Sequence, residues 1–141
     1  MPNNLYNTLQ SGFMFEIFYN QRWNFTGGNT SPTGLWMGLT STVPTNISIN
    51  ELAVSNYARQ PLGTGFAAWS YPYSNSGLVY NRTQINFPVA AAAWGWVSGA
   101  FISDAGTDGN TLFYVNLSVP KDITQNDQFY IPLSGCYVRM S

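Results

Sequence analysis

From residue 35 onward the sequence falls into short apolar runs, each cut off by glycine, proline, asparagine or aspartate before three turns of helix can form. The runs are LWMGLTS (35–41), YARQPLGTG (57–65), AAWSYPYS (67–74), RTQINFPV (82–89), WVSGAFISD (96–104), TLFYVNLSV (111–119), QFYIPL (128–133) and SGCYVRM (134–140). Strand-length runs with turn signals every ~8–20 residues predict a mainly β chain, a jelly-roll-like β-sandwich of about eight strands. Prolines inside the second and third runs place those strands at edges or bulges, because proline has no N–H to give a ladder. Ile85, Phe87 and Val89 alternate along one face of the fourth run, the period-2 mark of a strand with one buried side. The fifth and sixth runs flank AGTDGN and predict a hairpin. PKDITQND (120–127) reads as the turn before the seventh run.

The exception lies at the start. Leu5, Leu9, Phe13 and Ile17 recur every fourth residue, with Met14 and Phe18 beside them, which predicts one N-terminal amphipathic helix over 5–19. Gly12 weakens it by about 1 kcal/mol relative to alanine. Two roles suit such a helix: packing across an edge of a sheet, or serving as a docking arm. With no break in composition and no internal repeat, 1–141 is expected to be a single domain, with the sandwich over 35–140.

NFPVAAAAWGWVSGAFISDA (86–105) resembles a membrane segment at first sight. Pro88, Gly95, Ser98 and Gly99 interrupt it, and its apolar run falls short of the roughly 20 residues a spanning helix needs. It is expected to be sheet core plus a close-packed connection between sheets, with part of it facing a neighbouring subunit. Core packing and an interface explain Trp94 and Trp96 equally well. The opening MPNNLYNTLQSGF has neither the basic nor the apolar region of a secretory leader.

The chemistry available to the chain is limited. It has no histidine, which removes most hydrolytic and metal-site designs. Cys136 is the only cysteine, expected as a small core residue and not a nucleophile, since no histidine activates it. A glycosidase needs two carboxylates, and six acidic residues are present. Asp104, Asp108, Asp122 and Asp127 sit beside turn residues, where Asx turns account for them. Asp104, Asp108 and Asn110 offer oxygens for calcium but lack the full ligand series. No catalysis, cofactor or metal is expected. Five lysines and arginines scattered along the chain make no basic patch, so nucleic acid is not an expected partner.

Only 8% of residues are charged, against about 25% in typical soluble domains, and the net charge is -1. Weak charge gives little protection against self-association. The composition suits a protein that lives in contact with neighbours.

Taken in order, LWMGLTSTVPT, NYARQPL and the stretch from TQINFPV to CYVRM resemble small structural proteins of tailed bacteriophages, described as tail-fibre-like or as capsid decoration (cement) proteins. The matching elements are Leu35 to Ser41, the Tyr-Ala-Arg-Gln step Tyr57 to Gln60, Phe87 to Gly95, Asp104-Ala105, Leu112 to Tyr114 and Pro120 to Asp127. None is a catalytic signature. The loop Gln21 to Gly34 and the tyrosine-rich segment 67–82 depart from the family pattern, so partner-specific contacts are expected there.

The resemblance implies a capsid cement protein on the outer surface of the virion, assembled in the bacterial host cytoplasm. It would bind and stabilise the assembled lattice of the major capsid protein and self-associate as a trimer or dimer. The alternative it leaves is a tail-fibre or baseplate module that binds host surface glycans. The residues expected to contact a partner are Phe13, Phe18, Trp23, Phe25, Trp69, Tyr71 and Tyr73. Arg59 and Arg82 are expected to pair either with the few carboxylates or with a partner.

Overall fold

A computed structural model describes residues 14, 17–19, 34–45, 47–70 and 78–139 of the chain. The fold is mainly β, with strands β1 (Trp36–Thr40), β2 (Gln60–Pro61), β3 (Leu78–Tyr80), β4 (Ile85–Val89), β5 (Gly95–Ser103), β6 (Thr111–Ile123), β7 (Gln128–Ile131) and β8 (Tyr137–Arg139). Residues 14 and 17–19 are helical; the rest of the helix expected over 5–19 lies outside the described residues. Among those residues no helix is long and apolar enough to cross a membrane. The chain forms two compact units, one comprising residues 1–34, 63–84 and 131–141, the other 35–62 and 85–130.

The second unit holds a four-stranded sheet in the order β2-β1-β5-β6, antiparallel throughout. Opposed residues on antiparallel strands share a face. Met37 and Leu39 therefore lie level with Ile102 and Ala100 on one side, while Gly38 faces Phe101 on the other. Gly38 is required by close approach: a Cβ there would stand 2.3 Å from the Phe101 ring, far inside van der Waals contact. The ring lies across the strand in the space a side chain would fill, and Phe101 is buried as a result.

A separate pair, β4 with β7, packs in the same unit. Tyr57 links it to the sheet. Its ring stacks parallel to Phe87 of β4 at 6.2 Å and meets Trp94 edge-on at 5.6 Å, while its hydroxyl accepts the Leu39 N–H of β1. Phe129 of β7 closes on Phe87 edge-on. The alanine run crosses from one sheet to the other, as expected. Ala90 is fully buried and exchanges backbone bonds with Asn126 and Asp127, whereas residues 91–93 are exposed. Where this connection enters β5, Gly95 takes a φ of 79°, a conformation glycine adopts without steric cost.

In the first unit β3 pairs antiparallel with β8, and Asn81 organises the chain next to them. The buried Asn81 amide donates to the carbonyls of Thr83 and Pro132 and accepts the Cys136 N–H. Its own backbone N–H and C=O bond to Cys136 and Ser134. One side chain thus fixes the reversal that leads into β8. Among the described residues every buried side-chain nitrogen and oxygen has a partner.

Candidate assembly surface

The Tyr-Ala-Arg-Gln step seen in the sequence proves to be an internal clamp. In extended chain, residues two apart point the same way, so Tyr57 and Arg59 both reach Glu51. Tyr57 donates its hydroxyl to Glu51 Oε1 at 3.0 Å. Arg59 grips both carboxylate oxygens at 2.8 Å. The other end of the guanidinium donates to Ser103 Oγ and to the carbonyls of Ala105 and Asp108, and its plane lies 5.0 Å from the Phe101 ring centroid. Burial lifts the Tyr57 phenol above its ordinary range, so it stays a donor at physiological pH. Of the two partners open to Arg59, the carboxylate is the one it takes. Arg82 covers the Phe66 ring at 3.9 Å and donates to the Phe66 carbonyl.

The clamp fixes the turn between β5 and β6. Within it, Asp104 accepts the Asn110 N–H at 2.7 Å and its side-chain amide at 2.9 Å. Both Asp104 carboxylate oxygens considered for calcium are thereby engaged within the turn, and no three His, Cys, Asp or Glu side chains gather as a metal site among the described residues. Asp127 similarly accepts the Thr124 N–H and hydroxyl. The Asn110 amide and N–H hold the Asp104 carboxyl below its ordinary range, and the Thr124 N–H and hydroxyl do the same for Asp127.

Depressed folded values mean that these contacts stabilise the protein above the unfolded aspartate pKa of about 3.9 and are lost as pH falls through the lower folded values. The thermal midpoint is expected to hold steady from neutral to about pH 5 and to fall below about pH 4. Combining Asp104→Asn with Asp127→Asn should flatten that acid limb in a melting series.

Cys136 is half-buried, and burial pushes its thiol up to about 11, in keeping with an inert packing residue.

The residues expected to meet a partner are redistributed by the structure. Phe18 and Trp69, expected at the surface, are interior instead. Their rings meet edge-on at 4.2 Å, Trp69 donates its indole N–H to the Gly63 carbonyl, and both are essentially inaccessible. Packing is the role the structure gives this part of the helix. Phe13, Trp23, Phe25, Tyr71 and Tyr73 lie outside the described residues.

The exposed apolar groups are elsewhere. Ile47 stands 91% exposed on an arm whose base is held by the Ser41 N–H to Asn50 and the Thr45 N–H to Ser48 bonds, with Val43 beside it. Trp96 of β5 is exposed, whereas Trp94, two residues earlier, is buried with its indole N–H on Asn56 Oδ1. Tyr114, Val115 and Val119 are exposed on β6, which forms one end of the sheet. A signal for β6 did exist in the sequence: TLFYVN has apolar residues at both alternations, so neither side of that strand is marked as the wet one.

A β scaffold that leaves several large apolar side chains exposed and spends its described polar clusters on internal clamps has the character of a structural protein that works by contact. Comparison with known families agrees. A family model described as "Podophage GP4 fiber I protein gp80" matches residues 22–139. The chain belongs to this family, and it is a phage virion structural protein. No curated protein matches it.

Proposed function

We propose that the chain is a non-catalytic building block of a virion fibre. The observation that carries this reading is the family match over residues 22–139, whose description is of a fibre protein. The surface supports it, since the apolar residues left exposed on β5, β6 and the Val43–Ile47 arm are suited to contact with other subunits. Three of the six carboxylates serve the fold: Glu51 is paired with Arg59, and Asp104 and Asp127 are spent on their own turns.

The fibre description favours this placement over the capsid cement role implied by the sequence resemblance. Cryo-electron microscopy of the virion tests it. Density for this fold along a fibre is the expected result. Regular copies over the shell, seated on the major capsid protein, would replace the fibre reading with the cement one.

A second reading concerns host surface glycans. Exposed Trp96 lies opposite Asp122 across the strand pair, an aromatic face beside a carboxylate acceptor, which is the pairing sugar rings use. Titration with host-derived polysaccharide should quench tryptophan fluorescence in the wild type but not in Trp96→Ala; equal quenching in both would remove this reading.

A further inference from the structure

We propose that Asp108 is a self-modification site: the chain closes there to a succinimide with Gly109 and reopens to isoaspartate under the direction of Arg59. Gly109 is the only glycine in the sequence that follows an aspartate or asparagine. That pairing matters because a side chain on the following residue shields its backbone nitrogen from the aspartate carboxyl, and glycine has none.

The fold keeps the pair together. Gly109 has a φ of 71°, and a Cβ there would stand 2.5 Å from Asp104 Oδ1 and 2.6 Å from Ala105 Cβ, so the turn admits no larger residue. Asp108 is itself left-handed, with a φ of 52°, and both residues are exposed to water.

The chemistry balances without a further reactant. The Gly109 nitrogen gives up its proton and bonds to the Asp108 side-chain carboxyl carbon, whose hydroxyl leaves as water. The ring then carries two carbonyls on one nitrogen. Water that adds at the former side-chain carbonyl restores aspartate. Water that adds at the backbone carbonyl breaks the bond from Asp108 C to Gly109 N, so the main chain now runs through the side-chain methylene. The old backbone carbonyl is freed as a carboxylate, and the water lost on closing is regained.

The structure places a donor on one of those two carbonyls. Arg59 Nη1 donates to the Asp108 backbone carbonyl at 2.7 Å, and two 2.8 Å bonds to Glu51 hold the guanidinium in place. Before closure, charge drawn toward that oxygen makes the Gly109 N–H of the same peptide group more acidic. On the ring, the guanidinium stabilises the oxyanion that forms when water attacks this carbonyl, as a fixed donor aimed at developing charge does. In the product it faces a carboxylate instead of a neutral carbonyl, a stronger acceptor. Every step is pushed toward isoaspartate. The other aspartates differ. Asp104, Asp122 and Asp127 precede Ala105, Ile123 and Gln128, and the carboxylates of Asp104 and Asp127 are tied to backbone N–H groups.

Storage of the full chain in heavy-oxygen water at neutral pH, below its melting midpoint, tests this after digestion and mass spectrometry. Each opening of the ring leaves one heavy oxygen at residue 108, so chains that return to aspartate are counted beside those that become isoaspartate. Electron-transfer fragmentation tells the two apart. Label is expected at Asp108 and at no other aspartate, and Asp108→Glu, which would need a larger ring, should abolish it. The ratio of isoaspartate to labelled aspartate should exceed that of the same chain unfolded in guanidinium chloride by about threefold or more. Arg59→Lys should bring the ratio back toward the unfolded value. A folded chain that takes up no label at 108 while the unfolded chain reacts, or label spread over all the aspartates, would overturn the site. A ratio indifferent to unfolding and to Arg59→Lys would overturn the part given to Arg59.

Discussion

Replacing Trp69 with alanine is expected to destabilise the unit that holds it by about 3–5 kcal/mol, the usual cost of emptying a large aromatic site in a core. Trp69 is 1% exposed and packs edge-on against Phe18 at 4.2 Å. Its removal opens a cavity between the helix and the segment before β3, and leaves the Gly63 carbonyl without the indole N–H. Equilibrium denaturation by urea, followed by circular dichroism, measures the loss as a lower midpoint. Trp69→Phe separates the two contributions. It keeps most of the apolar volume and forfeits the hydrogen bond, so its cost should be nearer 1–2 kcal/mol. An alanine variant as stable as wild type would mean that Trp69 is not part of the core.

The second large effect is expected at Arg59. Its side chain is 9% exposed and engages Glu51 through two 2.8 Å bonds, and it also secures Ser103 and two carbonyls of the β5–β6 turn. Arg59→Ala strands the Glu51 carboxylate and those acceptors together. Breaking one side of a fully buried pair typically costs about 3–5 kcal/mol; with Glu51 29% exposed and still holding the Tyr57 hydroxyl, the loss here should be about 2–3 kcal/mol. Arg59→Lys should recover only a small part, because an ammonium cannot span a carboxylate and three further acceptors on the far side of a planar fork. Glu51→Gln keeps the shape and loses the charge, so it should sit between wild type and Arg59→Ala. A double-mutant cycle over Glu51 and Arg59 in thermal or urea melts gives the coupling; a value near zero would contradict the clamp.

Much of the strand pattern was legible in advance, for local reasons. β1 and the β5–β6 hairpin stand out because β-forming residues are bounded by strong turn chemistry, GTDGN above all. The elements misjudged are those set at long range. β3 is three residues long and exists through its pairing with β8 and the anchoring of neighbouring Asn81, and no short window reveals that. The strand expected over 57–65 contracts to two residues, Gln60–Pro61, since Tyr57 and Arg59 are committed to Glu51. For 67–74, the described part contributes only a bridge between Trp69 and Asn81.

β6 runs on to Ile123, through residues expected to form a turn. Pro120 is accommodated because it lies in the bulge, where no N–H is owed to β5.

The surface was harder to read than the fold. Aromatic residues serve cores and interfaces alike, so residue type alone put Trp69 outside and left Trp94 and Trp96 undecided. Which tryptophan is covered depends on Asn56 and Tyr57, far away in sequence, closing over Trp94.

Cys136 offers a practical dividend. With its thiol pushed up to about 11, only about one molecule in ten thousand carries the reactive thiolate at neutral pH. The natural thiol is therefore expected to react with maleimides more slowly than a fully exposed one. A cysteine introduced at an exposed position such as Val115 or Ile47 would react first. The chain thus comes ready for site-specific fluorophores or spin labels, without first having its own sulfur removed.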